Sequence, residues 1–366
     1  MKKYALNDIT FMQYVFLLHG AQIGVGLISL PNMVGEVAGM DSWITLIISW
    51  AISLGVSLLI ISIMKKHPDE TLYDLLPRYF GKVAGTALNL VFILYFLYAF
   101  YITFTTSVFI INLQQLPKTP NSMIVLLFAV PLYTVARSHI RVIGRYAELT
   151  YWLFIWLLLL YMYPLRDAVW VNLLPVLREG WGPVLQGLKM TVFSFLGFET
   201  AFILYPFLKH KEMAVKGIVI ANSMTLIIYL VIVLVCFLFF SPDDISHINY
   251  PTIKVLKVIE FRFFERFDVI ILLGYIILLS RIWIIYIYYG VFGSSQLFGK
   301  QDHRSHLRIV VLVLIVSSIF YSPTSDQITL LDKGLSRIGF FTAYMFPVLL
   351  WIVVSLRRRF SKGAIQ

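Results

Sequence analysis

Two apolar stretches of the sequence contain residues that interrupt helices, and an interrupted helix frees backbone atoms for binding. Residues 24–26 read Gly-Val-Gly and are followed by Leu30-Pro31, while Leu196-Gly197 lies in the second stretch. Glycine loosens the helical hydrogen-bond ladder, and proline removes a donor from it. Freed amide groups can hold a carboxylate, helped by the positive end of a half-helix, and freed carbonyls can hold an ammonium group. The pattern therefore predicts a binding site for a zwitterion such as an amino acid.

Two charged residues also lie within apolar stretches, where ionised side chains are costly and usually functional. Glu199 comes shortly after Gly197, and Arg281 is about midway along a later stretch. Glu199 could hold a proton, pair with a cation or bind the N-terminus of a half-helix. Arg281 should face the protein interior and have a partner, for which Glu199 is a candidate. The alternative is a buried ion pair with a purely structural role.

The composition places these stretches in a membrane. The chain of 366 residues is 59% hydrophobic and only 13% charged, whereas soluble domains carry about 25% charged residues. Apolar runs of about 15 to 28 residues recur along the whole chain, which suits a bilayer core about 30 Å thick. An ordinary soluble enzyme is therefore excluded.

Charge and reactive side chains argue against several other functions. The net charge of +11 is spread over short clusters between apolar runs, so topology and anionic lipid explain it, and no nucleic acid is expected. The single cysteine, Cys236, lies in an apolar run, which predicts neither an internal disulfide nor a thiolate metal site. The histidines are scattered over loops, and we expect no metal site and no cofactor. With no phosphate loop, zinc-protease motif or serine elbow, the sequence does not predict an enzyme.

Apolar runs bounded by charges or turn residues predict ten membrane spans. They lie near residues 10–35, 40–63, 83–113, 122–136, 146–164, 185–208, 214–240, 268–296, 307–321 and 338–356. Ten spans place both termini on one side of the membrane. Most Lys and Arg residues between the spans fall on that same side, which predicts that both termini are cytoplasmic. The first run lacks a small-residue cleavage site, so we expect it to remain as a helix.

The order of the spans predicts an internal repeat. A single membrane domain, residues 1–366, would divide into five-span halves at 10–164 and 185–356, with opposite orientations because five is odd. The interrupted spans are then the first of each half. Interrupted spans at matching positions of an inverted repeat point to a transporter-type binding site near mid-membrane. The alternative is that the glycines only let helices pack closely.

Two connecting segments have helical patterns of their own. Residues 72–79 carry apolar side chains at a spacing of three and four after a segment that can cap a helix. They predict a short helix on the cytoplasmic surface. Residues 252–267 predict an external amphipathic helix, with one apolar stripe formed by Ile253, Leu256, Ile259, Phe263 and Phe267. That helix would pack against the helical core, or it would act as a lid or a docking surface for a partner.

Four motifs follow one another along the chain, and they cover essentially its whole length. They are Gly24-Val25-Gly26 with Leu30-Pro31, Asn172-Leu173-Leu174-Pro175-Val176-Leu177 with Gly180, Ser194-Phe195-Leu196-Gly197-Phe198-Glu199, and Arg357-Arg358-Arg359. Together they resemble the B subunit of spore germinant receptors, within the amino acid, polyamine and organocation transporter superfamily. The resemblance implies an all-α integral membrane protein with the leucine-transporter fold, a 5+5 inverted repeat of ten transmembrane helices with broken helices one and six. It also implies the inner membrane of a bacterial spore, a small germinant, and assembly with an A subunit and a lipoprotein C subunit.

The interruptions and the resemblance together define the candidate site. In the leucine-transporter fold the third and eighth spans flank the broken helices, so the resemblance places their inner faces beside the pocket. Tyr98 has the alternative role of a packing or interface residue. The candidate ligand-binding residues are Gly24, Val25, Gly26, Leu27, Tyr98, Ala99, Phe195, Leu196, Gly197, Ile282 and Tyr286, and the candidate coupling residues are Glu199 and Arg281.

The expected function is therefore sensing. A small germinant, best matched by an amino acid such as alanine, would bind near mid-membrane and shift a conformational equilibrium that partner subunits detect. The alternative is a proton- or ion-coupled amino acid transporter that uses the same pocket. A third interpretation is a purely structural membrane subunit. Arg281 could also serve a different anion, and sugars or ions stay open as ligands.

Overall fold

Helices form the regular structure of this chain. The computed structural model describes residues 7–24, 26–248, 250–259, 267–300 and 302–363. Within those ranges the only extended pairing is a parallel bridge between Ile9 and Leu208, where the Ile9 amide donates to the Phe207 carbonyl over 2.8 Å. The predicted all-α class is confirmed. The bridge ties the segment before the first helix to the segment that follows the second interrupted stretch.

The helices follow the predicted apolar runs in order. Up to residue 160 they are α1 (Phe11–Gln22), α2 (Gly26–Ala38), α3 (Ser42–Met64), α4 (Leu72–Phe80), α5 (Lys82–Gln114), α6 (Asn121–Ala136), α7 (Ile140–Phe154) and α8 (Trp156–Leu160). Beyond residue 180 they are α9 (Trp181–Phe195), α10 (Ala201–Leu204), α11 (Ala214–Phe239), α12 (Pro242–His247), α13 (Pro251–Leu256), α14 (Phe267–Leu297), α15 (Arg304–Phe320), α16 (Ser325–Gly339) and α17 (Phe346–Gly363). Both predicted interruptions are present, between α1 and α2 and between α9 and α10.

Several helical stretches suit a bilayer by length and composition. In the described ranges six are long and apolar enough to cross a membrane, and α6 is a shorter apolar helix. The six stretches are Gly26–Met64, Lys82–Gln114, Ile140–Asp167, Lys211–Phe239, Val269–Leu297 and Ser325–Arg357. The chain is thus a multi-pass membrane protein, and the count of ten spans stays a prediction.

The last predicted span begins too late. It was expected from residue 338, but the helix begins at Ser325 and continues through a π-helical turn, Phe340–Met345, into α17. Thr324 and Gln327 form a capping box that fixes this start. The first turns were missed because charged residues such as Asp326 and Lys333 lower the mean hydropathy of a helix whose inner face is still apolar.

The predicted helix over residues 252–267 is wrong in its described part. Helix α13 covers only Pro251–Leu256, and a turn follows in which the Lys257 amide donates to the Lys254 carbonyl. Phe267 already belongs to α14, and Phe263 lies outside the described residues. Ile253 and Leu256 therefore lie on α13, Ile259 follows the turn outside any helix, and Phe267 belongs to α14.

The short helix predicted at residues 72–79 is present as α4. The Thr71 amide and hydroxyl both donate to the Asp74 carboxylate over 2.9 Å, which caps its first turn. Leu72, Leu75 and Leu76 are buried against the body of the protein. Helix α4 thus packs as part of the core rather than only resting on a surface.

The packing of the long helices positions the two interruptions. Helix α5 lies along α14, and α1 packs against α7, α11 and α14. Helix α2 packs against α9, and α3 contacts both α9 and α11. The interruption between α1 and α2 is consequently enclosed by α9, α11 and α14, and the interruption after α9 meets it directly.

Candidate functional site

The two interruptions touch each other through their backbones. Gly197, just after α9, has a φ angle of 123°, a conformation that favours glycine. A Cβ atom added at Gly197 would lie 2.5 Å from the carbonyl carbon of Ala21. Any larger residue would therefore force α1 away from the end of α9. Glycine is required here both for the turn and for the close approach.

One tyrosine links the two interruptions. The Tyr229 hydroxyl, from α11, lies 2.8 Å from the Gln22 carbonyl oxygen and 2.6 Å from the Ser194 carbonyl oxygen. These carbonyls lie at the ends of α1 and α9, where intrahelical partners are missing. The Phe195 ring packs edge-on against the same tyrosine, with 5.5 Å between centroids. Tyr229 thus holds the two helix ends together.

A small cavity lies at this junction. Its volume is about 20 Å³, which is room for about one water molecule. It is lined by Ala21, Gln22, Gly24, Gly26, Tyr95, Ala99, Thr103, Ser194, Leu196, Tyr229, Ile282, Tyr286 and Leu335. The predicted residues among these are Gly24, Gly26, Ala99, Leu196, Ile282 and Tyr286. They come from α1–α2, α5, the end of α9 and α14, as expected of two broken helices flanked by two long ones.

Other predicted residues lie next to this cavity rather than on its wall. Leu27 is buried beside it, and its carbonyl accepts from the Thr252 hydroxyl over 3.0 Å. Phe195 packs on Tyr229, and Gly197 contacts α1. The Tyr98 hydroxyl donates to the Leu331 carbonyl of α16 over 3.1 Å. Val25 lies outside the described residues.

Tyrosine hydroxyls occupy the carbonyls that the first interruption frees. Besides Tyr229 on Gln22, the Tyr275 hydroxyl lies 3.3 Å from the Gly24 carbonyl oxygen, and the Tyr286 hydroxyl lies 3.5 Å from that of Ala21. In a membrane each backbone polar group needs such a partner. The junction is therefore closed and internally satisfied in this conformation.

Both carboxylate oxygens of Glu199, in the interruption after α9, accept hydrogen bonds. One carboxylate oxygen accepts from the Tyr95 hydroxyl over 2.8 Å, and the other accepts from the Gly197 amide over 2.7 Å. The side chain is only 1% exposed. Glu199 thereby fixes the turn after α9 to α5.

The suggested pairing of Glu199 with Arg281 is not formed. The Arg281 Nε donates to the Leu278 carbonyl over 3.1 Å, and its side chain lies against Gly20 of α1, one turn before the interruption. Within the described residues Arg281 makes no ion pair. Glu199 is instead held by Tyr95 of α5 and the Gly197 amide, whereas Arg281 lies against α1.

A buried polar network fixes α1 to α11. The Gln22 side-chain amide donates to Asn222 over 2.9 Å and accepts from the Thr225 hydroxyl over 2.7 Å. The His19 Nδ1 lies 3.0 Å from the same hydroxyl oxygen. Because that hydroxyl donates to Gln22, the histidine nitrogen is the donor in its own contact. In the part of the chain that the structure describes, no group of three His, Cys, Asp or Glu residues is placed to hold a metal ion.

Comparison with known sequences identifies the family. The sequence matches the spore germination protein family over residues 8–327. The chain belongs to that family. It is 26% identical to the spore germination protein GerQB of Bacillus cereus over 356 residues, which are 94% of this chain and 96% of the relative. The resemblance found in the sequence motifs is confirmed.

Solved structures give the fold of this spore germination protein. Its TM-score to MhsT in complex with L-phenylalanine is 0.60, covering 94% of this chain and 88% of MhsT. Its TM-score to a Na⁺-coupled sialic acid symporter is 0.52, covering 99% of this chain and 77% of the symporter. Both likenesses are at 13% identity, and they establish the leucine-transporter fold. The family and the fold make this a germinant-sensing or transporter-like membrane protein.

The α11 side of the junction was not predicted from the sequence of this spore germination protein. Asn222, Thr225 and Tyr229 are spaced three and four apart, so they share one face of a helix that is otherwise apolar. A polar stripe within a membrane helix points towards the protein interior. From this stripe the sequence could have predicted that α11 supplies hydrogen-bond partners to a buried polar residue such as Gln22.

Proposed function

We propose that this spore germination protein is the germinant-sensing subunit of a spore receptor and that a small amino acid binds where its two broken helices meet. The observation that carries the proposal is the cavity at this junction, which residues from both interruptions line. The proposal applies to the residues that surround it, with Gly24, Gly26 and Leu196 as ligand contacts.

Backbone chemistry at the junction suits a zwitterion. Helix α2 begins at Gly26, and the positive end of its dipole favours a carboxylate there. The carbonyls of Ala21 and Gln22 end α1 and would accept hydrogen bonds from an ammonium group. Ala99 and Ile282 add apolar surface, which matches a small side chain such as that of alanine.

Ligand binding would be coupled to a change of conformation. A cavity of about 20 Å³ is too small for an amino acid, so the ligand must displace tyrosine hydroxyls and separate the helix ends. A ligand that binds only the opened junction shifts the population towards it. In a sensor this shift is the signal. Glu199 would carry it from the turn after α9 to α5 through Tyr95.

The proposal also covers the location, topology and partners of the subunit. It would lie in the inner membrane of the spore with ten spans and both termini cytoplasmic, and its halves at 10–164 and 185–356 would form an inverted repeat. An A subunit and a lipoprotein C subunit would be its partners, and the A subunit would detect the opened junction. GerQB, a full-length relative, is also named a spore germination protein.

Binding and uptake by the purified protein test this function. Labelled L-alanine is titrated against wild type, Gly24→Val and Gly55→Val, and uptake is measured in proteoliposomes. A Cβ atom at Gly24 would lie 3.0 Å from the Ile282 Cδ1, whereas one at Gly55 would meet nothing within 4 Å. We expect saturable binding without uptake, weakened at least tenfold by Gly24→Val and unchanged by Gly55→Val.

Two other outcomes would change the conclusion. Saturable uptake that Gly24→Val abolishes would make the protein an amino acid transporter, a function that the fold shared with a Na⁺-coupled symporter also supports. Equal binding by both glycine variants would remove the ligand from the junction.

A further inference from the structure

A second cavity lies beside the junction and differs from it in chemistry. It has a volume of about 90 Å³ and lies between α2, α7–α8, α11, α13 and α14. Its lining is mostly apolar, as illustrated by Leu27, Leu157 and Ile232, and it includes Arg281 and the exposed Lys257. Because Lys257 is exposed, the cavity reaches the protein surface at that residue.

Arg281 brings an unsatisfied charge into this cavity. Its side chain is 2% exposed, and its Nη1 atom has no hydrogen-bond partner in the described part of the chain. The titratable side chains that interact electrostatically with it are His19, Tyr146 and Tyr151. None of these is an anion at neutral pH. Glu199, the acidic residue of the nearby junction, is held by Tyr95 and Gly197.

A buried guanidinium without an anion is unfavourable, because burial removes its hydration and the bond from Nε to the Leu278 carbonyl replaces only part of it. Arginine also presents a planar set of donors that fits carboxylate and phosphate groups. An apolar cavity with such a donor set on its wall matches a molecule with an anionic group and a hydrocarbon chain. Neither an apolar molecule alone nor a hydrophilic anion would satisfy both parts of the lining.

We propose that this cavity binds an amphipathic anion, whose acidic group pairs with Arg281 and whose alkyl chain lies along Leu27, Leu157 and Ile232. The bound molecule would contact the first interruption from outside the germinant site. Ile23 within that interruption and Leu27 just after it line the cavity, and Arg281 packs against Gly20 of α1. The proposal for this cavity holds whichever germinant binds at the junction.

Decanoate binding to the full-length protein in an uncharged detergent tests the proposal. Arg281→Gln removes the charge, and Leu157→Trp fills the cavity while leaving Arg281 in place. Leu159→Trp is the matched control, because Leu159 lies on the same short helix but is 69% exposed, against 6% for Leu157. We expect saturable decanoate binding that Arg281→Gln and Leu157→Trp each weaken at least tenfold and that Leu159→Trp leaves unchanged.

Competition and lipid binding complete the test. Decanol should compete at least tenfold more weakly than decanoate, since it has the chain without the charge. Native mass spectrometry with phosphatidylglycerol and phosphatidylcholine distinguishes the two sources of the anionic group. Retention of phosphatidylglycerol that depends on Arg281 indicates a lipid headgroup. Binding of decanoate without such retention indicates a free carboxylate. Equal competition by decanol, or binding that neither Arg281→Gln nor Leu157→Trp weakens, overturns the proposal. If Arg281→Gln does not fold, the comparison of Leu157→Trp with Leu159→Trp decides.

Discussion

Removing the Tyr229 hydroxyl should favour the opened junction and tighten ligand binding. In the closed conformation this hydroxyl lies within hydrogen-bond distance of two carbonyls, at 2.8 Å and 2.6 Å. It has one hydrogen, so both carbonyls share one donor. After the helix ends separate, it can serve only one of them. The closed state is therefore favoured by at most one hydrogen bond's net contribution, up to roughly 1.5 kcal/mol.

That free energy sets the size of the effect. Tyr229→Phe should raise the population of the opened state, and so lower the apparent Kd for L-alanine, by up to about 12-fold. Equilibrium binding to purified protein measures this. Tyr14→Phe is the matched control, because the Tyr14 hydroxyl is also buried but has no hydrogen-bond partner in the described structure. An unchanged or weakened affinity in Tyr229→Phe, relative to Tyr14→Phe, would refute the role of Tyr229 as the closing bond.

Three further predictions concern stability. Glu199→Ala should lower the thermal unfolding midpoint because the Tyr95 hydroxyl and the Gly197 amide each lose a carboxylate acceptor, at about 1.5–3 kcal/mol per bond. Glu199→Gln keeps one acceptor oxygen and should recover part of the loss, and equal midpoints for the two variants would contradict this. Gly197→Ala should cost at least about 1–3 kcal/mol from its positive φ alone, while Gly55→Ala, in open space, should be nearly neutral in the same melt. Burial lowers the pKa of His303 from its ordinary 6.5, and its Nε2 lies 3.0 Å from the Ala136 carbonyl oxygen. The stability that the neutral His303 contributes is therefore present above pH 6.5. It is lost as the pH falls from 6.5 towards the lowered pKa. His303→Gln should flatten that part of the pH profile between pH 5 and 7, and a profile identical to wild type would exclude this histidine as its source.

The positions of both interruptions could be read from the sequence, because glycine and proline act on the backbone wherever they stand. Helix α1 ends at Gln22 and α2 begins at Gly26, and residues 196–200 separate α9 from α10, as the motifs indicate. The inner face of α5 was harder to predict. Tyr95 and Ala99 are four residues apart and line the cavity, whereas Tyr98 is turned towards α16 and donates to Leu331. A long helix that is apolar on every side gives no periodicity from which to choose its face.

A single sequence does not show which polar residues far apart in the chain contact each other. Glu199 and Arg281 are both buried charges, and pairing them was reasonable on charge alone. The structure satisfies Glu199 locally, through the Gly197 amide, and leaves Arg281 against α1. The start of α16 was missed for a related reason, since mean hydropathy does not register an amphipathic helix that shields its polar face.

The most direct test of the central claim is an experimental structure of the protein determined with saturating L-alanine. The account predicts the ligand between the two broken helices, with its carboxylate at the start of α2, its ammonium group at the Ala21 and Gln22 carbonyls, and its methyl group towards Ala99 and Ile282. It also predicts that Tyr229 no longer bridges Gln22 and Ser194. L-alanine bound elsewhere, including beside Arg281, or bound while that bridge stays intact, would contradict the account.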